Sequence, residues 1–332
     1  MGTKISYIEY YLPDAILDNE MLFRDFPDWP PEKIEQKLGI RERHIASAKE
    51  TSLDLAFKAA ENLFTSASKE GVDFILLCTQ SPDYFLPTSA CILQERLQLP
   101  TTTGALDFNL GCSGYIYGLA IAKGLIHTSI AKKVLLVTAE TYSKFIHPKD
   151  KGNRTIFGDG ASATLVEYSE DEQILNFSLG TDGKGMNNLI VPNGGMRHPF
   201  EMNAEEVTDA GGSIRTSNNI FMNGPEIFNF TIKAIPPLID SVLKANNLTL
   251  EDINFVIFHQ ANKYMLDYLC KKLKIPVEKF FLDMVDSGNT VSATIPIGLK
   301  KSLKEKKVNP GDLVLLCGFV VVYSWGATII KI

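Results

Sequence analysis

The sequence predicts an α/β protein, a layered sandwich built from two similar halves. Strand-like apolar runs alternate with amphipathic helical stretches along the whole chain, which is the pattern of sheets covered by helices. The order of motifs in the first half recurs in the second, the mark of an internal repeat. The chain has 332 residues, 45% hydrophobic and 22% charged, enough for a large buried core.

The first half opens on "KISYIEYYLP", which alternates like a strand. That reading displaces the formal lipidation match of "MGTKIS", with Gly2 and Ser6. "FPDWPPEKIEQKLGI" is expected to be a helix begun by prolines, which are tolerated in a first turn. "SLDLAFKAAENLFTSA" follows as an amphipathic helix, "VDFILLCTQSPDY" as strand and loop, and "TSACILQERLQL" as helix. Next come "LDFNLGCSGYIYGLAIAKGLI", a strand end, a glycine loop and a helix; the strand "KKVLLVTAE"; and "FGDGASATLVEY", a loop leading into a strand.

The second half repeats this plan. "FNFTIKAIPPLIDSVLKANN" is the amphipathic helix, "INFVIFHQANKY" the strand and loop, and "MLDYLCKKLKI" the helix. "LDMVDSGNTVSATIPIGLKKSL" matches the cysteine loop in kind, and "GDLVLLCGF" with "YSWGATIIKI" supplies the last two strands. The boundary falls near residue 170, in the charged "YSEDEQ", giving halves 1–170 and 171–332. Residues 180–215 are rich in Gly and Asn with little periodicity, and a loop this long is expected to serve a substrate or an interface.

Composition narrows the function. A formal net charge of −6, with no Lys/Arg run interleaved with aromatics, argues against nucleic-acid binding. The five cysteines include no CxxC pair and no secretory apolar segment opens the chain, so a reducing cytoplasm is expected. Cys78 and Cys317 sit inside apolar runs as buried core thiols. Residues 313–330 carry no charge, but Ser324, Gly326 and the β-branched run suit two buried strands joined by a turn rather than a membrane span.

Three residues could carry chemistry. Cys112 lies between Gly111 and Gly114 where a strand gives way to a helix, and there free N–H groups and the helix dipole lower a thiol pKa. On local grounds it is equally a small buried hydrophobe. His259 ends a strand, the place where sites form in α/β sheets. Asn289, beside Gly288, reads locally as a turn or cap residue. The repeat changes this, because Cys112 and Asn289 occupy equivalent loops and His259 follows an equivalent strand. A pseudo-twofold brings such loops to one face, where Cys, His and Asn form a nucleophile, base and amide-donor set.

At these residues the chain resembles the thiolase superfamily, and within it the β-ketoacyl-acyl carrier protein synthase III family. The resemblance rests on "GIRERHIA" at 39–46, the Cys112 loop, "IFGDGASATLV" at 156–166, "HQAN" at 259–262, "GNTVSATIP" at 288–296 and "SWGATII" at 324–330. It implies a thiolase-like five-layer αβαβα sandwich and a homodimer. It also implies a two-step reaction: acyl-CoA acylates Cys112, then malonyl-acyl carrier protein loses carbon dioxide and condenses to a 3-oxoacyl product. His259 and Asn289 would hydrogen-bond the malonyl thioester oxygen, and the backbone amides of Cys112 and Val320 would form the oxyanion hole. The resemblance calls for no cofactor and no metal. It offers Asn262, Gly224, Phe319, Leu86, Arg154, Lys37 and Trp29 as substrate or pantetheine contacts, with Leu86 crossing the dimer into the partner's acyl pocket.

Some positions depart from the family pattern. The Gly-Phe-Gly loop reads Gly318-Phe319-Val320, and residues 320–322 are all valine, which adds bulk beside the oxyanion hole. Lys33 and Lys37 stand where the family has a tryptophan and an arginine, and Trp29 lies upstream of them. Lys263 and Tyr264 replace the arginine that follows "HQAN". Two alternatives therefore stand beside condensation: a same-fold acyltransferase acting on oxygen or nitrogen without decarboxylation, and a catalytically impaired homologue. Arg41, Arg43 and His44 are expected in a surface turn with a structural role.

Overall fold

A computed structural model of the chain describes residues 2–320 and 324–332. Among the described residues, two main sheets and three helical layers make up the fold, beside three two-stranded pairs. The first sheet is formed by β1 (Gly2–Tyr11), β2 (Phe74–Cys78), β3 (Gly104–Phe108), β4 (Lys133–Glu140) and β5 (Gly160–Ser169), in the order β1-β5-β4-β2-β3. The second holds β6 (Ile174–Thr181), β7 (Phe255–Phe258), β8 (Leu313–Val320) and β9 (Ser324–Lys331), in the order β7-β8-β9-β6. Pairs β2/β3, β2/β4 and β7/β8 are parallel and the rest antiparallel. The uncharged run 313–330 thus supplies β8 and β9, and among the described residues no helix is long and apolar enough to cross a membrane.

Helices α1 (Ser52–Phe64) and α2 (Ser89–Arg96) lie on the outer side of the first sheet. Between the sheets run α3 (Gly114–His127) and, in the second half, α6 (Thr294–Lys304), each touching strands of both sheets. The helices α4 (Gly224–Ala245) and α5 (Lys263–Lys272) close the far side of the second sheet. The result is the αβαβα sandwich expected from the sequence. Thr51 starts α1 with a reciprocal capping box to Asp54, which satisfies two otherwise orphaned donors. The middle layer packs Ile116, Leu119, Ile295 and Leu299 against Leu136, Ile257 and Leu316. Each such side chain contributes about 1.5–3 kcal/mol through its removal from water.

Two expectations change. Arg43 is not in a surface turn: it is fully buried, with Nε donating to the Thr155 carbonyl at 3.0 Å and Nη1 donating to Asn19 Oδ1. Burial without a carboxylate in contact pulls its guanidinium down to about 9. A structural role fits, since it ties the strand Glu42–Ile45 to the segment that carries Phe157. Residues 180–215 are also more ordered than an open loop, containing the short strands Leu189–Ile190, Val207–Thr208 and Ile214–Arg215, although Met196, Phe200 and Met202 project from them exposed.

Candidate active site

The turn from β3 into α3 places Cys112. Gly114 N–H donates to the Gly111 carbonyl at 2.8 Å, and the Cys78 thiol donates to the Leu110 carbonyl at 2.9 Å. Ser113 Oγ lies 2.6 Å from Ser324 Oγ at the start of β9. Gly114 is needed for space, because a Cβ there would stand 2.3 Å from Cys78 Sγ. Gly318 on β8 is needed for the same reason, its Cβ falling 2.7 Å from Ser113 Cα and 2.8 Å from the Cys112 carbonyl oxygen. The two glycines let the backbone of β8 lie directly on the cysteine turn.

Cys112 is only 2% exposed. Burial, and then the Glu140 carboxyl, push its thiol well above the ordinary value, and a backbone hydrogen bond at Cys112 offsets only part. Burial thus acts against the lowering expected at a helix start. Glu140 is itself fully buried and pushed up to about 8 by desolvation. Its oxygens accept from Gln80 N–H at 3.1 Å and from the hydroxyls of Ser81 and Ser292, each at 3.1 Å.

His259 follows β7 and continues its ladder, donating its N–H to the Cys317 carbonyl at 2.8 Å. Its ring meets Phe319 edge-on at 5.8 Å, and Phe319 in turn packs on Phe258. Burial lowers the imidazole to about 3, so the ring is neutral, with the Val291 carbonyl opposing weakly. Nδ1 lies 2.7 Å from Thr294 Oγ1.

Asn289 is pinned to the other half of the molecule. Its N–H donates to the Ile156 carbonyl at 2.9 Å, and its carbonyl accepts from Gly158 N–H at 3.1 Å. Gly288 makes the approach feasible: its φ is +65°, and a Cβ would come within 3.0 Å of Arg43 Cγ and the Ile156 carbonyl. The Asn289 side-chain oxygen accepts from Val291 N–H at 2.9 Å, which turns its NH2 toward the Ala261 carbonyl at 3.5 Å. Cys112, Phe157, Phe258, Ala261, Val291 and Phe319 belong to one buried cluster, so the loops bearing Cys112, His259 and Asn289 converge.

A cavity of 330 Å³ adjoins this cluster, with Tyr142, Leu189 and Ile220 common to both and Gln80, Asn109 and Phe145 completing much of its wall. Its polar edge is a relay in which Tyr142 O–H donates to Gln80 Oε1 and Gln80 Nε2 donates to Asn109 Oδ1. A larger groove of 680 Å³ along β1 and α6, lined by Tyr7, Glu9, Lys300 and Lys304, contains none of the candidate residues.

The remaining candidates are distributed around the site. Asn262 caps α5, its side chain accepting from Met265 N–H at 2.9 Å. Gly224 begins α4 and is exposed, with open space around it. Trp29 gathers Lys33, Lys37 and Lys151 within 5.6, 5.9 and 6.0 Å of its ring. Lys151 also pairs with Asp28, and Arg154 pairs with Asp25 at 2.8 Å while stacking over Phe26. Leu86 is 81% exposed, in an apolar patch with Tyr84 and Phe85. Val320 ends β8, while the rest of the valine loop singled out from the sequence, residues 321–322, and Tyr323 lie outside the described residues.

Sequence reasoning passed over Glu140, Ser292 and Thr294. The signals were a carboxylate closing the apolar run "KKVLLVTAE" and two small hydroxyl residues inside "GNTVSATIP". Among the described residues, no cluster of three His, Cys, Asp or Glu side chains could hold a metal ion.

Family models for 3-oxoacyl-[acyl-carrier-protein] synthase III match residues 106–183, and the C-terminal model of the same enzyme matches 243–332. A β-ketoacyl-[acyl-carrier-protein] synthase III of Clostridium perfringens is 37% identical over 97% of each chain. A second relative, synthase III 2 of Halalkalibacterium halodurans, is 36% identical over 95% of this chain and 92% of its own. Among solved structures, a 3-oxoacyl-(acyl-carrier-protein) synthase III superposes with a TM-score of 0.98 at 48% identity, each chain fully covered. The 3-oxoacyl-(acyl-carrier protein) synthase from Burkholderia xenovorans gives 0.92 at 34%, covering all of this chain and 94% of that one.

Proposed function

The chain belongs to the 3-oxoacyl-acyl-carrier-protein synthase III family, the acyl-transferring condensing enzymes of fatty-acid biosynthesis, and on that premise we propose that Cys112 is its acyl acceptor and His259 with Asn289 its enolate-binding pair. The supporting observation is the convergence of the three loops across the junction of the two sheets, with Gly318 holding β8 against the Cys112 turn.

In the first half-reaction the Cys112 sulfur attacks the carbonyl of an acyl-CoA. The oxyanion is received by the backbone N–H groups of Cys112 and Val320, and collapse expels the CoA thiol, which takes up the proton given up by Cys112. The acyl chain occupies the 330 Å³ cavity beside Tyr142, Leu189 and Ile220. Malonyl-acyl carrier protein then enters. Loss of carbon dioxide leaves an enolate on its thioester, and His259 and Asn289 Nδ2 donate to that oxygen as its charge develops. The nucleophilic carbon attacks the acyl-cysteine carbonyl, and the thiolate leaves and takes up one proton from solvent, regenerating the Cys112 thiol alongside a 3-oxoacyl product.

Trp29, Lys33, Lys37 and Lys151 form a cationic aromatic ledge suited to the nucleotide end of CoA, with Arg154 beside it. Asn262 and Gly224 belong to the pantetheine path. The exposed Tyr84-Phe85-Leu86 segment lies against a second copy of the chain, giving a homodimer. Incubation with a panel of acyl-CoAs followed by intact-protein mass spectrometry tests the first step: one acyl adduct, absent in Cys112→Ser, is expected. Carbon dioxide release from malonyl-acyl carrier protein tests the second. Acylation without that release would sink condensation in favour of simple acyl transfer.

A further inference from the structure

Thr294 opens α6 five residues beyond Asn289 and is 3% exposed. Its hydroxyl stands between two groups, His259 Nδ1 at 2.7 Å and the Val291 carbonyl oxygen at 3.1 Å. A hydroxyl has one hydrogen to give. If it donates to Val291, the 2.7 Å contact requires the imidazole proton on Nδ1, and Nε2 faces the site as a lone pair. If it donates to Nδ1, the proton of the neutral ring resides on Nε2, which becomes a donor.

We propose that Thr294 is the positioning residue that sets the tautomer of His259, its hydroxyl donating to Nδ1 during decarboxylation so that Nε2–H faces the enolate oxygen. The inference rests on the proposed enolate-binding role of His259. Without the hydroxyl, the Val291 carbonyl, a backbone partner of the imidazole, only accepts and therefore draws the ring proton to Nδ1. Changing state takes a rotation of the Thr294 O–H together with exchange of the ring proton from Nδ1 to Nε2 through solvent, with no net proton uptake.

Val291 supplies the competing acceptor. It is fully buried, β-branched and left-handed at φ +56°, a conformation costing about 1–3 kcal/mol. That backbone directs its N–H to Asn289 Oδ1 and its carbonyl to Thr294. One strained turn therefore orients the amide of Asn289 and presents, in its carbonyl, the acceptor that competes with His259 Nδ1 for the Thr294 hydroxyl.

The test compares Thr294→Val, Thr294→Ala and Thr294→Ser with wild type, reading the two half-reactions separately. Thr294→Val should acylate Cys112 at the wild-type rate while carbon dioxide release from malonyl-acyl carrier protein falls about a hundredfold, the loss typical of one oxyanion donor. Thr294→Ser should recover most of it. In 15N-histidine-labelled protein the His259 signals should move from the Nε2–H to the Nδ1–H pattern in Thr294→Val and Thr294→Ala. Unchanged decarboxylation in Thr294→Val, equal loss of both half-reactions without rescue by Ser, or an unchanged tautomer would each overturn the proposal. If wild type is acylated by no acyl-CoA, the condensing assignment falls instead, and the 15N pattern still decides the tautomer.

Discussion

Replacing Glu140 by Gln isolates a charge that burial keeps off the centre of the molecule. Desolvation dominates at this carboxyl, outweighing the Gln80 amide and the hydroxyls of Ser81 and Ser292, so it titrates at about 8 instead of the ordinary 4.5. At pH 7 it is a neutral acid in the folded protein and a carboxylate in the unfolded chain. The folded state holds the extra proton between those two values. Its stabilising contribution is therefore complete below pH 4.5, declines as pH rises, and is gone above about 8. The slope is about 1.4 kcal/mol per pH unit, and the whole interval amounts to about 5 kcal/mol.

Glu140→Gln keeps the shape and the neutral state at every pH. Urea unfolding of both proteins at steps from pH 5.5 to 8 is the assay, because the difference between them cancels every other titrating group. The variant should gain about 1.4 kcal/mol on wild type per pH unit. Cys112 offers a companion readout: with the Glu140 charge removed its thiol should be alkylated faster at alkaline pH, since that charge is the second influence raising it. Parallel stability curves would mean that the folded protein ionises Glu140 normally, and the account of the enclosed thiol would fail with it.

Other outcomes follow from the same geometry. Gly318→Ala places a methyl against the backbone of Cys112 and Ser113, atoms that cannot swing aside, so stability should fall by about 1–3 kcal/mol and Cys112 acylation should slow; unchanged melting and acylation would refute the packing argument. Asn289→Ala should leave acylation intact while cutting malonyl decarboxylation about a hundredfold, measured as carbon dioxide release. Because the His259 imidazole titrates at about 3 rather than 6.5, the folded state resists protonation between those values, and the stability it confers is lost as pH falls below 6.5. Decarboxylation should accordingly show no protonation limb near pH 6.5, and such a limb in a pH-rate profile would contradict a buried neutral ring. Lys33→Ala with Lys37→Ala should raise KM for acyl-CoA and leave kcat unchanged, whereas a pure kcat effect would remove the Trp29 ledge from substrate binding.

The alternation of apolar runs and the repeat were enough to place most strands, because a buried parallel or mixed strand needs a run such as "FILLC" or "LVLLCGF" whatever surrounds it. The residues proposed for the site were nominated from the same repeat. Cys112 and His259 follow strands β3 and β7, whereas the strand expected before Asn289 does not form and that residue makes only an isolated bridge to Phe157, so the repeat is looser there than the sequence suggested. What could not be read was contact across the halves. Arg43 looked like surface charge because nothing local shows that Asn19 and the Thr155 carbonyl enclose it. Lys151 lies more than a hundred residues from Trp29, so their meeting is a property of the fold alone.

The clearest reversal concerns the cysteine. A thiol at a helix start reads as activated, since the dipole is local and follows from sequence. Desolvation is not local: it depends on Gly318 admitting β8, on Tyr142 and Phe157 closing the cluster, and on Glu140 arriving from β4. These tertiary contributions, burial first and the Glu140 carboxyl second, act together against the thiolate. A thiol held neutral in its pocket would shield the proposed acyl acceptor from oxidation or alkylation between turnovers. On this view the glycines at 114 and 318 govern the reactivity of Cys112 as much as the helix does, by deciding how tightly the surrounding backbone encloses it.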